Sequence, residues 1–119
     1  MSMTPRVATL AIDGADLEAL ARFWGGLLGM KVTYRKETWL DLEPLGGGGP
    51  VLSFQKVPER KGAKNRLHLD IDVPDIDTAG DRVRELGGSP ASEPQERPDM
   101  RFQIWRDPEG NEFCLVARG

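Results

Sequence analysis

The chain contains a single histidine, His68, with an aspartate, Asp70, two residues further on. Both stand in a segment of alternating polar and apolar residues, so a strand there would place the two side chains on one face. Imidazole changes its protonation near neutral pH, and a neighbouring carboxylate can orient or charge it. In the last such segment, Glu112 and Cys114 share a face in the same way. We therefore predict an acid/base centre at His68, assisted by Asp70 and Glu112.

Two of these residues, His68 and Cys114, could also have a purely structural role. His68 is equally consistent with a histidine that is only hydrogen-bonded inside a polar cleft. Cys114 could act as a nucleophile, although no basic residue neighbours it in sequence. A thiol on a buried strand also behaves as a small hydrophobic side chain. The sequence leaves both alternatives open.

The elements that would position these residues occur in the same order twice. A stripe of apolar residues predicts a helix that Asp16 opens and Gly29 ends, and a similar stripe predicts a second helix opened by Asp75. Alternating apolar residues predict strands around both helices. The predicted strands cover residues 7–13, 31–36, 38–43, 51–57, 66–73, 89–93, 101–106 and 112–117.

The repeated order suggests an internal duplication. Shifting the sequence by 59 residues aligns identical residues in one ungapped register, and eight of these pairs lie in or next to the predicted strands and helices. The pairs are Leu10/Leu69, Ile12/Ile71, Asp13/Asp72, Asp16/Asp75, Leu27/Leu86, Gly29/Gly88, Phe54/Phe113 and Val57/Val116. The alternative is that any two strand–helix units share leucine, aspartate and glycine. We predict a duplicated β-α-β-β-β unit.

Two such units would leave one face of each sheet free to line a shared cleft. The predicted fold class is α+β, with two tandem β-α-β-β-β modules, residues 6–57 and 66–117, in a single domain over 1–119 whose mixed sheet is concave. Polar and aromatic side chains of this kind are typical of a small-molecule site. The cleft-lining residues we predict are Thr9, Trp39, Ser53, Gln55, Trp105 and Cys114. The two tryptophans could instead form a sheet or dimer contact.

Composition limits the classes of partner. Sixteen Lys and Arg against nineteen Asp and Glu give a formal charge of −3, which disfavours nucleic acid or an anionic membrane. The one cysteine excludes an internal disulfide, and the first seven residues lack the apolar core of a signal peptide. No apolar run is long enough to cross a bilayer. We expect a cytoplasmic protein with no nucleic-acid or membrane partner.

Three motifs together resemble a known superfamily. They are Asp107-Pro108-Glu109-Gly110-Asn111-Glu112-Phe113, Arg66-Leu67-His68-Leu69-Asp70, and Leu20-Ala21-Arg22-Phe23-Trp24 followed by Leu27-Leu28-Gly29. The chain resembles the glyoxalase/bleomycin-resistance/dioxygenase (vicinal oxygen chelate) superfamily, and most of all its short, single-domain glyoxalase-like branch. The resemblance covers nearly the whole chain and implies a cleft for a small organic ligand and a homodimer.

The resemblance also assigns metal-ligand positions. Metal-dependent members take ligands from the first and last strands of each module, typically His or Gln, then Glu, His and Glu. The corresponding positions here are His68 and Thr9 on the first strands, and Cys114 and Gln55 on the last. Only His68 among them suits a hard divalent cation, so we expect no metal cofactor. If a metal binds, we expect His68, Gln55 and Cys114 as ligands, with Glu112, on the same face two residues from Cys114, as a substitute if the strand shifts.

Residues and resemblance together predict a protein that binds a small organic molecule in the cleft. It would act on that molecule by metal-independent acid/base chemistry of the lyase or isomerase type, through His68. One alternative is a non-catalytic protein that sequesters a drug or metabolite. Another is a metal-dependent lyase or dioxygenase with an atypical ligand set. Glyoxalase I activity itself is not expected.

Overall fold

The first half of the chain forms a four-stranded sheet with one helix. The computed structural model describes residues 7–58, 62 and 67–118. The elements of the first half are β1 (Thr9–Gly14), α1 (Leu17–Leu28), β2 (Val32–Arg35), β3 (Trp39–Pro44) and β4 (Val51–Lys56). The strand order is β1-β4-β3-β2, with β1 parallel to β4 and the other pairs antiparallel. A short 3₁₀ turn at Leu45–Gly47 precedes β4.

The second half repeats this arrangement. Its elements are β5 (Leu69–Asp72), α2 (Ile76–Glu85), β6 (Ser89–Pro90), β7 (Gln95–Arg97), β8 (Met100–Arg106) and β9 (Glu112–Arg118). The order is β5-β9-β8-β6, with β7 also paired to β8 and β5 parallel to β9. The predicted strand over 89–93 is shorter than expected, because β6 covers only Ser89–Pro90 and β7 follows as a separate strand at Gln95–Arg97. Between them the Ser92 hydroxyl, rather than a strand carbonyl, accepts the amide of Ile104 at 3.1 Å.

The topology confirms the predicted α+β fold of two β-α-β-β-β units. The first residues of both predicted modules, 6 and 66, lie outside the described part of the chain. Within that part, neither helix has the length or the apolar character needed to cross a membrane.

Both helices begin where the sequence predicts. The Asp16 carboxylate accepts the amide of Ala19 at 3.1 Å, which caps the first turn of α1. The Asp75 carboxylate accepts the hydroxyl and the amide of Thr78 at the start of α2. The bond from the Thr78 hydroxyl is the main cause that holds the pKa of Asp75 below its ordinary value, and the backbone amide bonds add to it. Gly29 ends α1 with a φ of 66°, a conformation that glycine adopts without strain.

One hydrophobic core spans both halves. Phe23 and Trp24 of α1 pack edge to face on Phe113 of β9, with ring centroids 5.7 and 5.0 Å apart. All three rings are buried, as are Leu40, Leu42, Leu52 and Phe54 on the helix-facing side of the first sheet. The helix of the first half therefore packs on a strand of the second. The opposite faces of the two sheets are left to hold polar side chains.

Candidate functional site

His68 and Asp70 lie side by side at the start of β5. The imidazole Nδ1 lies 3.4 Å from the carboxylate Oδ1. Both side chains are about half exposed, 51% for His68 and 52% for Asp70, so solvent and small molecules can reach them. A carboxylate at this distance can orient the ring. The pair lies on one face, as the alternation of the sequence predicts.

Cys114 lies beside this pair on the neighbouring strand. Parallel pairing of β5 and β9 sets Asp70 opposite Cys114. A nitrogen of His68, a carboxylate oxygen of Asp70 and the Cys114 sulfur all lie within 4.8 Å of one another. Cys114 is 9% exposed, so its side chain is mostly covered. The sequence offers no base next to Cys114, but the strand pairing brings an imidazole within reach of its thiol.

A cavity of about 290 Å³ lies where β1 of the first sheet meets β5 of the second. His68 and Glu112 line it from the second half, and residues 10–13 line it from β1. Glu112 is half-buried, and its Oε2 lies 3.8 Å from Nη2 of Arg106 on the paired strand β8. Two of the three predicted catalytic residues therefore face one cavity, and the third, Asp70, contacts His68.

The turn before β9 is held by a buried carboxylate, Asp107. Only 3% exposed, Asp107 accepts the amides of Glu109 and Asn111 and the side-chain amide of Asn111. It also accepts the indole N–H of Trp24 in α1 at 3.0 Å. Glu109 in turn accepts the backbone amide of Asp16 at 2.8 Å. The turn therefore joins the second half to the first, next to the cavity that Trp24 also lines.

The burial of Asp107 predicts a pH dependence. Burial raises the pKa of the Asp107 carboxyl above its ordinary value, although bonds from Asn111 and Trp24 oppose the change. The folded chain therefore keeps this proton to a higher pH than the unfolded chain. The resulting stabilisation is present at low pH and is lost as the pH rises through the folded pKa.

The amide side chain of the Asp107→Asn variant cannot ionise, so the stability of that variant lacks this pH dependence. The unfolding free energy of the wild type minus that of D107N should become smaller as the pH rises above about 4. Urea unfolding of both proteins at several pH values between about 4 and 8 measures this difference in unfolding free energy. A difference that grows with pH would contradict it.

A carboxylate that we did not single out from the sequence, Asp41, lies on the first sheet. Its Oδ1 accepts both the Trp39 indole N–H at 2.7 Å and the Ser53 hydroxyl at 2.6 Å. Ser53 is fully buried and Trp39 half-buried. The two predicted cleft residues therefore meet at an unpredicted partner. The signal was available, because the buried residues Leu40 and Leu42 put Asp41 on the polar face of β3.

The two last strands do not follow the 59-residue repeat. Ala11 of β1 pairs with Ser53 of β4, and Asp70 of β5 pairs with Cys114 of β9. The first strands thus differ by 59 positions and the last strands by 61. The counterpart of Cys114 is Ser53, and not Gln55 as the shifted sequence implies. The implied metal ligands Gln55 and Cys114 are therefore not at equivalent places.

The other predicted cleft residues of the first sheet are exposed. Gln55 lies opposite Trp39 and Asp13 in the ladder. Thr9 stands at the first position of β1, opposite Val51. Both lie on strands of the half that supplies the β1 side of the cavity, and both are open to solvent.

The prediction that Trp105 lines the cleft is wrong. Trp105 is 2% exposed and lies opposite Phe113, on the helix-facing side of the second sheet. The Arg84 guanidinium of α2 lies 5.2 Å from its ring centroid, and a Cβ built on Gly80 of α2 would lie 2.6 Å from the ring. Alternation along β8 turns Trp105 inward, so it belongs to the core beneath α2.

Comparison with known proteins gives a consistent result. A family model described as "Glyoxalase-like domain" matches residues 9–116. A protein named "Glyoxalase 1" from Caenorhabditis briggsae is 25% identical over 121 aligned residues, which cover 95% of this chain. The match spans only 43% of the length of that relative.

Solved structures share the fold at low sequence identity. A glyoxalase/bleomycin resistance protein/dioxygenase family enzyme from Burkholderia phytofirmans superposes with a TM-score of 0.79 at 18% identity, over 97% of this chain and 100% of that one. The E126Q mutant of the fosfomycin resistance protein FosX from Listeria monocytogenes, complexed with Mn(II) and 1S,2S-dihydroxypropylphosphonic acid, also gives 0.79, at 14% identity. That alignment covers 98% of this chain and 93% of FosX.

Proposed function

The chain belongs to the glyoxalase-like domain family, and from this membership we propose that it binds a small organic molecule in the cavity between β1 and β5 and transfers a proton through His68. The observation that carries the proposal is the position of His68, which lines the cavity while its ring contacts Asp70 at 3.4 Å. The names of the relatives support the ligand class, because bleomycin and fosfomycin are small organic molecules.

The proposed chemistry divides among three side chains. His68 gives or takes the proton, and Asp70 orients its ring. Glu112 lines the same cavity and supplies a second group that can exchange a proton with a bound molecule. A lyase or isomerase needs a proton removed at one atom and returned at another, which two such groups can provide. A positioned general acid or base contributes roughly 10²–10⁴-fold in rate.

The test is a ligand and product screen on the full chain and two variants. Fosfomycin, bleomycin and a panel of small oxygenated metabolites are screened by thermal shift, and mass spectrometry detects products. His68→Ala should lower turnover by roughly 10²–10⁴-fold, because the proton-transfer group is gone. Asp99→Ala, an exposed turn residue, is the matched control and should leave turnover unchanged. Equal turnover and affinity in wild type and H68A would refute the assignment.

A non-catalytic protein that sequesters a drug or metabolite is the second candidate, and the absence of carboxylates from the implied metal-ligand positions Gln55 and Cys114 favours it. The same screen separates the candidates, since sequestration gives thermal shifts without any product. We also propose, from family membership, that the protein forms a homodimer.

The manganese ion bound by the FosX mutant does not fit the residues present here. Mn²⁺ favours oxygen ligands in octahedral arrangement. The cluster offers a thiol, an imidazole and one carboxylate, from Cys114, His68 and Asp70. We therefore derive no step of the proposed reaction through manganese.

A further inference from the structure

The cluster that is unsuited to manganese has the donor set of a softer ion. We propose that His68, Asp70 and Cys114 form a zinc-type metal site built from one sheet alone. Zinc takes thiolate, imidazole and carboxylate ligands, and three protein ligands with one open position are typical of accessible zinc sites. The proposal rests on two observations, the parallel pairing that sets Asp70 beside Cys114 and the grouping of all three ligand atoms within 4.8 Å.

The distances suit a tetrahedral ion. Metal–ligand bonds of about 2.0–2.1 Å place a nitrogen and an oxygen roughly 3.4 Å apart around zinc. The His68 Nδ1 and Asp70 Oδ1 atoms lie 3.4 Å apart. With a zinc–sulfur bond of about 2.3 Å, the sulfur would lie roughly 3.6 Å from each of the other two ligands. Closing the cluster from its present limit of 4.8 Å needs a shift of about 1 Å. Side-chain rotation of the half-exposed His68 and Asp70 can supply it.

The proposed site differs from the ligand pattern that the resemblance implies. That pattern draws on both halves of the chain, with one ligand from each first and last strand. Here all three ligands come from the second half, His68 directly before β5, Asp70 in β5 and Cys114 in β9. Asp70, two residues beyond the histidine, occupies no position in the pattern. The thiolate sets the preference, because soft sulfur ligands select zinc over manganese or magnesium.

Metal binding would regulate the site that we propose for proton transfer. An imidazole nitrogen bound to zinc has no lone pair left to accept a proton. With zinc on Nδ1 the ring keeps its proton on Nε2, so neither nitrogen can accept a proton. The zinc-bound and proton-transferring states of His68 therefore exclude each other. This consequence rests on the proposed function, but the binding itself does not.

Metal binding is tested on the full chain, reduced and freed of metal with a chelator. Cobalt is then added as the spectroscopic probe. Co²⁺ should bind with one equivalent and give the strong visible bands of tetrahedral coordination and a near-ultraviolet thiolate-to-cobalt band. Zn²⁺ should displace it and raise the Tm, whereas Mn²⁺ should do neither. Cys114→Ser should lose the thiolate band, and Asp70→Asn should weaken zinc binding by about tenfold or more.

Asp72→Asn is the matched control for the carboxylate. Asp72 lies on the same strand and face, is exposed, and pairs with Arg118. The zinc affinity of D72N should stay within about twofold of wild type, since Asp72 is paired with Arg118 and is not one of the three proposed ligands. Circular dichroism confirms that each variant is folded. If C114S does not fold, two measurements decide whether the site exists. They are the zinc affinity of D70N compared with that of D72N, and the preference of the wild type for zinc over manganese.

The outcomes separate this proposal from the proposed function. The absence of stoichiometric cobalt binding, cobalt binding that is equally tight in C114S, or equal losses in D70N and D72N would overturn the metal site. The ligand screen is then repeated at saturating zinc, where turnover should fall at least tenfold. Turnover that is unaffected by zinc would overturn the regulatory consequence. Zinc binding by the wild type, together with full turnover in H68A, would remove the proposed function and leave the metal site standing.

Discussion

Asp107→Ala should lower the free energy of unfolding by about 3–5 kcal/mol, because each buried donor left unpaired costs about 1–3 kcal/mol and networks lose more than single bonds. Without the carboxylate, the Trp24 indole and the amides of Glu109 and Asn111 lose their shared acceptor. Asp107 itself is 3% exposed, so little water replaces it. The raised pKa of Asp107 shows that its charge is costly to bury, which reduces the loss but does not reverse it.

Urea unfolding at neutral pH measures the effect. Asp99→Ala, in an exposed turn of the same half of the chain, is the control and should change stability by less than about 0.5 kcal/mol. The intrinsic tryptophan fluorescence of the folded protein should also differ between D107A and wild type, because the Trp24 indole N–H loses its acceptor. If D107A is as stable as D99A, the turn does not join the two halves energetically.

Gly88→Ala should destabilise the fold by about 3 kcal/mol, at the upper end of the usual cost of overpacking. A Cβ at this position would lie 2.5 Å from Cγ1 of Val83, 2.8 Å from the carbonyl oxygen of Arg106 and 2.9 Å from Cε1 of Phe23. Val83 and Phe23 are completely buried, and the third neighbour is backbone. None of the three can move aside without disturbing the core.

The backbone at Gly88 is not in the left-handed region, so the expected loss comes from packing and not from strain. Gly48→Ala is the matched control, because a Cβ there meets nothing within 4 Å. Thermal unfolding of both variants should show a Tm several degrees lower for G88A and little change for G48A. A stable G88A would mean that Phe23 and the end of α2 can separate without cost.

Much of the fold was predictable because its signals are local. Alternation identifies the strands, and the carboxylates of Asp16 and Asp75 mark the first turns of the helices. The shared face of His68 and Asp70 follows from two-residue spacing alone. The approach of Cys114 does not, because it depends on a parallel pairing between strands far apart in sequence.

The two-residue offset of the last strands escaped prediction for a physical reason. Side chains in a strand alternate between faces, so a slip of two residues maps apolar positions onto apolar positions. The identity of Phe54 and Phe113 in the shifted sequence is therefore a coincidence of pattern. In the sheets, Phe113 lies opposite Leu69, the place that Leu52 takes opposite Leu10. Trp105 was misplaced because its strand carries large side chains on both faces.

The two-residue offset also means that the repeated backbone does not repeat its chemistry. Beside the first strand of one half stands a thiol next to a carboxylate, and beside that of the other half stands a hydroxyl next to a methyl group, at Cys114 and Asp70 against Ser53 and Ala11. The cavity between β1 and β5 shows the same inequality, because His68 and Glu112 line it from one half and residues 10–13 line it from the other. A ligand with two unlike ends would therefore meet different groups in its two orientations.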